Sequence, residues 1–274
     1  MIIERFAPSP TGFLHLGHAY SAYLGYRSAQ NVEDKFLLRI EDIDLNRSKK
    51  KYENQIYNDL HWLGIKYEEP VLLQSTRLNI YNKNLKQLWK SQHLFACNCT
   101  RKDIVIAAAP QENGVPLAGP DGIIYPGTCL GNHQPLDMPQ DALRLNMHNI
   151  KKNEFFFDDI EFGKVSFTKK DVIDNIGSVV IARKDIGISY HLSVVLDDAF
   201  QGITHVTRGA DLLEATKIHV ILQHLLGLPT PIYRHHRLIR DNTGRRLAKR
   251  DESKSIKSYR EAGFTPKDII SMFD

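Results

Sequence analysis

Three observations predict an α/β protein: a Rossmann-like parallel sheet, an inserted subdomain and a short helical C-terminal tail. The chain opens on a strand–helix–strand–helix alternation. A middle stretch then holds all three cysteines and breaks that rhythm. Alternation resumes afterwards and runs to a basic turn near the end. Strands that alternate with helices form parallel sheets covered by helices on their faces.

The elements follow in order. Ile2 to Phe6 reads as a short strand, ended by the rigid turn of Pro8, Pro10 and Gly12. Apolar and small residues at helical spacing from Leu16 to Ala29 predict a helix at once. Lys35 to Ile40, KFLLRI, is the second strand and leads into Glu41 and Asp42. Ser48 is expected to cap a helix that runs to Leu63 and stops at Gly64. Another helix is expected from Arg77 to Ser91, with Leu78, Tyr81, Leu85 and Leu88 on one face. Residues 96–140, rich in Pro and Gly between 110 and 131, predict an insertion with little regular structure, which needs a staple to stay ordered. The alternation then resumes with strands at Val179–Ala182 and His205–Thr207. A helix from Asp211 to Leu226 ends at Gly227, and a strand follows over Ile232–Ile239. Two short helices close the chain after the basic turn NTGRRLAKRDES.

Composition sets outer limits. At 274 residues, 42% hydrophobic and 25% charged, the chain has the size and make-up to bury a core. A net charge of +4 is compatible with a nucleic-acid partner but does not require one. Cys97, Cys99 and Cys129 are odd in number and two of them are nearly adjacent, which makes a poor disulfide framework. They suit a reducing compartment and a metal. The first residues, MIIERFAPSP, lack the basic-then-apolar order of a signal peptide. No apolar run approaches the roughly 18 residues of a membrane span. The cytoplasm is the expected compartment, with no membrane partner.

The first strand–turn–helix unit carries the strongest chemical signal. A helix that starts just after a first strand aims its free amides and dipole at the carboxyl edge of the sheet, which is a phosphate site. His15 and His18 are three apart and share one face of the first turn, where both can donate to phosphate oxygens. Gly17 between them lets a base or ribose approach the backbone. Alone, such a pair is ordinary on a helix surface, but here a Pro-Ser-Pro-Thr-Gly turn precedes it. Near the other end, Thr243 to Asp251 is a Gly-containing basic loop whose Lys249 could close over a triphosphate. The cysteines offer three thiolates, and a structural zinc takes four ligands. Tyr125, four before Cys129, and His133, four after it, are the candidates for the fourth position, and histidine is the commoner ligand.

Together these stretches resemble class I aminoacyl-tRNA synthetases. His15-Leu-Gly-His18 is similar to their first signature, and Arg246-Leu-Ala-Lys249-Arg250 to their second, usually written KMSKS. The resemblance narrows to the glutamyl branch through RFAPSPTGFLHLGHA at 5–19, LLRIEDID at 37–44, and the run from Tyr190 to Asp198 that leads to His205-Val-Thr-Arg208-Gly. It covers the chain from Ile3 to about Arg250. In the second signature Arg246, Ala248 and Arg250 depart from consensus while Lys249 is retained.

The resemblance implies a division of the chain. Residues 1–93 are the first half of the catalytic core, and 94–175 an inserted zinc-binding, acceptor-type subdomain. Residues 176–240 are the second half of the core, and 241–274 the signature loop and tail. It implies ATP, with Mg²⁺ on its phosphates, and L-glutamate as small substrates. His15, His18 and Lys249 are the implied catalytic residues, and with Gly17 they hold ATP. Arg5, Ala7, Ser9, Glu41, Tyr190 and Arg208 form the implied glutamate site. Val194 stands where discriminating glutamyl-tRNA synthetases often carry an asparagine. In the zinc site the resemblance selects Tyr125 to join Cys97, Cys99 and Cys129.

Within the branch, the likeness is closest to the short paralogues that attach glutamate to the queuosine base of tRNA(Asp). The 24 residues after Arg250 are expected to be too few for an anticodon-binding domain. The implied partner is therefore tRNA(Asp) carrying queuosine, and a monomer is expected. Charging of tRNA(Glu) at its 3′ end, an adenylate-forming ligase with a small-molecule acceptor, and a non-enzymatic RNA-binding module are the competing readings. Intact His15, His18 and Lys249 weigh against the last.

Overall fold

The computed structural model describes residues 1–109, 116–184, 187–239 and 254–273. Three parallel strands, β1 (Ile3–Phe6), β2 (Lys35–Ile40) and β3 (Glu68–Leu73), form the first sheet in the order β1-β2-β3. They are joined by α1 (Leu16–Ser28) and α2 (Lys50–Trp62). A second group runs in the order β12 (His205–Gly209), β13 (Ile232–His236), β8 (Glu154–Asp159), β9 (Gly163–Thr168). Its first three strands are parallel, and β9 is an antiparallel edge. The two groups meet where β12 lies beside β1. There the Thr204 N–H donates to the Ile3 carbonyl at 2.9 Å, and the Thr207 N–H and hydroxyl donate to the buried Glu4 carboxylate at 3.2 and 2.8 Å. A side chain thus replaces part of the backbone ladder at the centre of the molecule.

The middle of the chain is more regular than its composition predicts. β4 (Leu94–Cys97), β7 (Ala142–Leu145), β10 (Val180–Arg183) and β11 (Gly187–Ile188) make an antiparallel sheet in the order β11-β10-β7-β4. α4 (Arg101–Ala108) starts at a capping box of Thr100 and Asp103, and a small hairpin pairs β5 (Ala118–Gly119) with β6 (Gly122–Ile123). The strand expected at Val179–Ala182 exists, one residue later, but it pairs antiparallel with β7 and so does not extend the parallel sheet.

The remaining helices are α3 (Leu78–Lys90), α5 (Lys169–Asn175), α6 (Tyr190–Phe200), α7 (Leu213–Leu226), α8 (Ile256–Glu261) and α9 (Pro266–Ser271). Gly64 and Gly227 take φ of +73° and +65° just past α2 and α7, where a left-handed residue ends the helix. Ser48 does not cap α2: Lys49 holds that position, because the turn drawn by the Ser48 N–H to the Asp44 carbonyl delays the helix by a residue. On α3, Tyr81, Leu85, Leu88 and Trp89 are buried, while Leu78 in its first turn stays 37% exposed. The strand expected over Ile232–Ile239 ends at His236.

Among the described residues, two large apolar clusters hold the fold. One runs from α3 through β7, β8 and β10 into α6 and α7. The other joins α1, α2 and β2 to Ile256, Ile269 and Phe273 of the C-terminal helices.

Candidate active site

The site begins at the N-terminus of α1. His15 is the N-cap, and its Nδ1 accepts from the Gly17 N–H at 3.1 Å, while the His15 N–H donates to His18 Nδ1 at 3.2 Å. Two histidines thus form a reciprocal capping box, with ring centroids 3.7 Å apart. Because both Nδ1 atoms accept, each neutral ring carries its proton on Nε2. A Cβ on Gly17 would lie 3.1 Å from His15 Cε1, so glycine is what lets the ring fold back over the helix end. The start of α8 clamps this turn: the Ile256 N–H donates to the Leu14 carbonyl at 2.8 Å.

Behind the turn lies a buried ionic hub. Asp198 Oδ1 on α6 accepts from Arg5 Nε at 3.0 Å and from Arg39 Nη1 at 2.7 Å. Arg39, wholly buried, also reaches Glu41 through Nη2 at 3.2 Å. Burial alone would raise the pKa of Asp198, but Arg5 and Arg39 outweigh it and hold the carboxyl below its ordinary range. For Glu41 burial wins over Arg39 and Arg5, and the pKa is raised.

Arg208, on β12, is fixed differently. Its Nε donates to His235 Nε2 at 3.2 Å, Nη1 to His219 Nδ1 at 3.0 Å, and Nη2 to Thr216 Oγ1 at 2.5 Å. All three partners are neutral acceptors. Burial and then Arg208 hold His219 well below the usual imidazole range, and the same two influences lower His235 to about 4. No carboxylate pairs with Arg208 among the described residues, yet the side chain is buried. Three of its five N–H donors are used, so each terminal nitrogen keeps one. A buried guanidinium with two donors left and no anion is built for an incoming carboxylate.

The histidine-capped turn, Arg5, Glu41 and Arg208 open into one cavity of about 990 Å³, while Arg39, Asp198, His219, His235 and Thr216 stand behind its wall. Arg5, Ala7, Ser9, His15, Gly17, His18, Glu41, Tyr190 and Arg208 all line it. Gly209 lines it too, and a Cβ there would fall 2.4 Å from Asp211 Oδ1. Tyr190 begins α6, and burial raises its hydroxyl pKa.

Behind Tyr125, which lines the cavity, the Sγ atoms of Cys97, Cys99 and Cys129 lie within 4.8 Å of one another. The Tyr125 hydroxyl is 3.4 Å from Cys97 Sγ and 3.6 Å from Cys99 Sγ, whereas His133 is exposed and outside the cluster. Arg144 lies over the Tyr125 ring, 4.0 Å from its centroid.

A family described as tRNA synthetases class I (E and Q), catalytic domain, matches residues 1–274. The chain belongs to this family. Among its relatives, the glutamyl-Q tRNA(Asp) synthetase of Rhodobacter capsulatus is 51% identical over 98% of both chains. The glutamate–tRNA ligase of Aquifex aeolicus is 34% identical over 97% of this chain, which spans 55% of that longer protein. A crystal structure of the glutamate-tRNA synthetase from Elizabethkingia anophelis superposes with a TM-score of 0.78 at 25% identity, covering 99% of this chain and 61% of the other. The parallel α/β fold is that of class I synthetases.

Of the site residues read from this class I sequence, Arg5, Ala7, Ser9, His15, Gly17, His18, Glu41, Tyr190 and Arg208 share one cavity wall. Lys249, with its neighbours Arg246, Ala248 and Arg250, lies outside the described residues. Val194 is buried in α6 within the core and does not line the cavity. Sequence reasoning missed Arg39, Asp198, His191, His219, His235 and Thr216. His219 and His235 sit in stretches that read as plain helix and strand, and His191 in the run from Tyr190 to Asp198; only the fold turns His219 and His235 toward Arg208 and His191 toward His219.

Proposed function

We propose that this chain activates glutamate with ATP to glutamyl-adenylate and transfers it to the queuosine base of tRNA(Asp). The observation that carries the first half is Arg208, buried, held by three neutral acceptors and short of an anion, in the cavity shared with the histidine-capped end of α1. The glutamate side-chain carboxylate meets Arg208 and Arg5, and Glu41 pairs with the ammonium. An α-carboxylate oxygen then attacks the α-phosphorus of ATP, the bond to the bridging oxygen breaks, and pyrophosphate leaves. No general base is needed, since a carboxylate is already nucleophilic at neutral pH; catalysis is positioning and charge stabilisation. The Nε2–H groups of His15 and His18 and the amides around Gly17 hold phosphate oxygens, with Lys249 assigned to the same task. Mg²⁺, bound with ATP, neutralises phosphate charge. In the second step a hydroxyl of the queuosine ring attacks the activated carbonyl, AMP leaves and the hydroxyl proton is lost.

The acceptor rests on the relative from Rhodobacter capsulatus, whose length this chain matches over 98%. Cys97, Cys99, Cys129 and Tyr125 fit a structural zinc. Cys99 Sγ and Cys129 Sγ lie 3.5 Å apart, close to the roughly 3.8 Å edge of a tetrahedron with zinc–sulfur bonds of about 2.3 Å. Labelled glutamate is offered with ATP to tRNA(Asp) from cells with and without queuosine synthesis, and to tRNA(Glu). Transfer only to queuosine-bearing tRNA(Asp) is expected. Equal transfer to both tRNA(Asp) preparations, or transfer to tRNA(Glu), overturns the acceptor.

A further inference from the structure

Arg208 is tied through two histidines to the turn between β5 and β6, another part of the wall of the same cavity. Arginine has no acceptor, so His219 Nδ1, 3.0 Å from Arg208 Nη1, must carry a lone pair. The neutral His219 ring then bears its proton on Nε2, which lies 3.0 Å from His191 Nδ1. His191 Nδ1 accepts in turn, so its proton is on Nε2, and Nε2 lies 2.7 Å from Asp121 Oδ2. Each bond has only one possible direction, fixed by the guanidinium at one end and the carboxylate at the other. Both rings are buried, at 2% and 6% exposure, so water does not offer substitutes. Tyr190 packs on both, with centroids 5.4 and 5.7 Å away. Asp121 sits on the turn between β5 and β6, four residues before Tyr125 of the cysteine cluster.

We propose that Asp121, His191 and His219 form a directed hydrogen-bond relay that positions Arg208 for the substrate carboxylate and couples docking of the β5–β6 hairpin to amino-acid binding. The three are positioning residues, since they act on the substrate carboxylate through Arg208. When the hairpin is seated, Asp121 accepts from His191 and every donor along the chain points away from Arg208. When it lifts, the His191 Nε2–H loses its acceptor, the rings can exchange tautomers, and Arg208 Nη1 faces an N–H in part of the population. The cysteine cluster thereby acts on glutamate affinity without contacting glutamate. This inference rests on the reading of Arg208 as the side-chain carboxylate site.

The test uses the full chain and two measurements. Glutamate-dependent exchange of pyrophosphate into ATP gives separate KM values for glutamate and ATP, and histidine ¹⁵N spectra give the tautomers. Asp121 is a turn residue, so Asp121→Ala is the first variant and Asp121→Asn, which keeps an acceptor oxygen, is the rescue. Wild type is expected to show His191 and His219 protonated on Nε2. Asp121→Ala should mix the tautomers and raise the glutamate KM about tenfold, with the ATP KM unchanged, and Asp121→Asn should restore most of the loss. The relay is overturned by a proton on His219 Nδ1 in wild type, by an unchanged glutamate KM in Asp121→Ala, by an equal rise in both KM values, or by failure of the asparagine to rescue. Absence of glutamate-dependent exchange in wild type would instead strike the reading of Arg208, and the tautomers would still decide the relay.

Discussion

Glu4 and Arg208 stand on neighbouring strands and answer burial in opposite ways. Arg208 keeps its charge and takes neutral histidines as partners. Glu4, 1% exposed, collects the N–H of Arg5 and the N–H and hydroxyl of Thr207, yet burial outweighs these bonds and the charge of Arg5, and its pKa is pushed up to about 7. An acid whose pKa is higher folded than unfolded binds its proton more tightly in the native state. Stability is then lost as pH rises from the ordinary 4.5 through about 7, and is level above. The linkage amounts to on the order of 3 kcal/mol. His235, lowered to about 4, acts the other way, losing stability as pH falls from 6.5 through about 4. The two slopes oppose each other in nearly the same window. Glu4→Gln removes one of them. Denaturant melts at pH 4.5 and 8 should show the wild type losing, relative to the variant, on the order of 3 kcal/mol between the two pH values. A stability difference that does not move with pH would show that Glu4 titrates normally.

At the scale of elements, what was legible in the sequence depended on how local the cause was. β1, α1, β2 and the ends of α2 and α7 follow from the Pro–Gly turn, helical spacing and the glycines at 64 and 227, all within a few residues. β4 and β7 are short strands that pair across a long stretch of chain, Leu145 with Leu94, and β8 reaches β13 through Asp159 and Tyr233. Sequence reasoning places none of β4, β7 and β8, whereas it does place the strand of β10 and misses only that strand's antiparallel pairing with β7. The same holds for the site. Arg5, His15 and Glu41 were visible within long motifs, whereas Asp198, 193 positions from Arg5, becomes its partner only through the sheet. α4 was missed because the cysteines and prolines around it suggested irregularity, although Thr100 and Asp103 give it a capping box. The cysteine cluster, drawn from the end of β4, the turn before α4 and the segment before β7, has few buried apolar neighbours, chiefly Phe95 and the partly buried Ile104 and Leu130. The zinc proposed for this site would order a cluster so thinly packed. Protein purified without added metal should contain one zinc per chain. Cys129→Ser and Tyr125→Phe should lose it and His133→Ala should not, by elemental analysis. Loss in the His133 variant alone would make histidine the fourth ligand.

Across the whole molecule, the cavity lies where separately packed parts meet. Phe6 and Leu38 belong to one apolar cluster, and Leu192 and Val206 to the other. The cavity wall alternates between them and includes Ile104 and Tyr125 beside the cysteines. A ligand held by Arg5, Glu41 and Arg208 therefore bridges the clusters and stabilises the native state as a unit. Saturation at about 100 times Kd corresponds to about 2.7 kcal/mol, or roughly 5–10 °C for a chain of this size. Three amino acids separate charge from shape. Glutamine has the length of glutamate but offers Arg208 a neutral amide, which leaves a buried cation without an anion. Aspartate keeps the charge but is one methylene short of the span between Glu41 and Arg208. Glutamate is expected to give the full rise in melting temperature, and glutamine and aspartate little. An equal rise with glutamine would show that the neutral acceptors around Arg208 suffice, and that the absence of a protein carboxylate there does not encode a substrate charge.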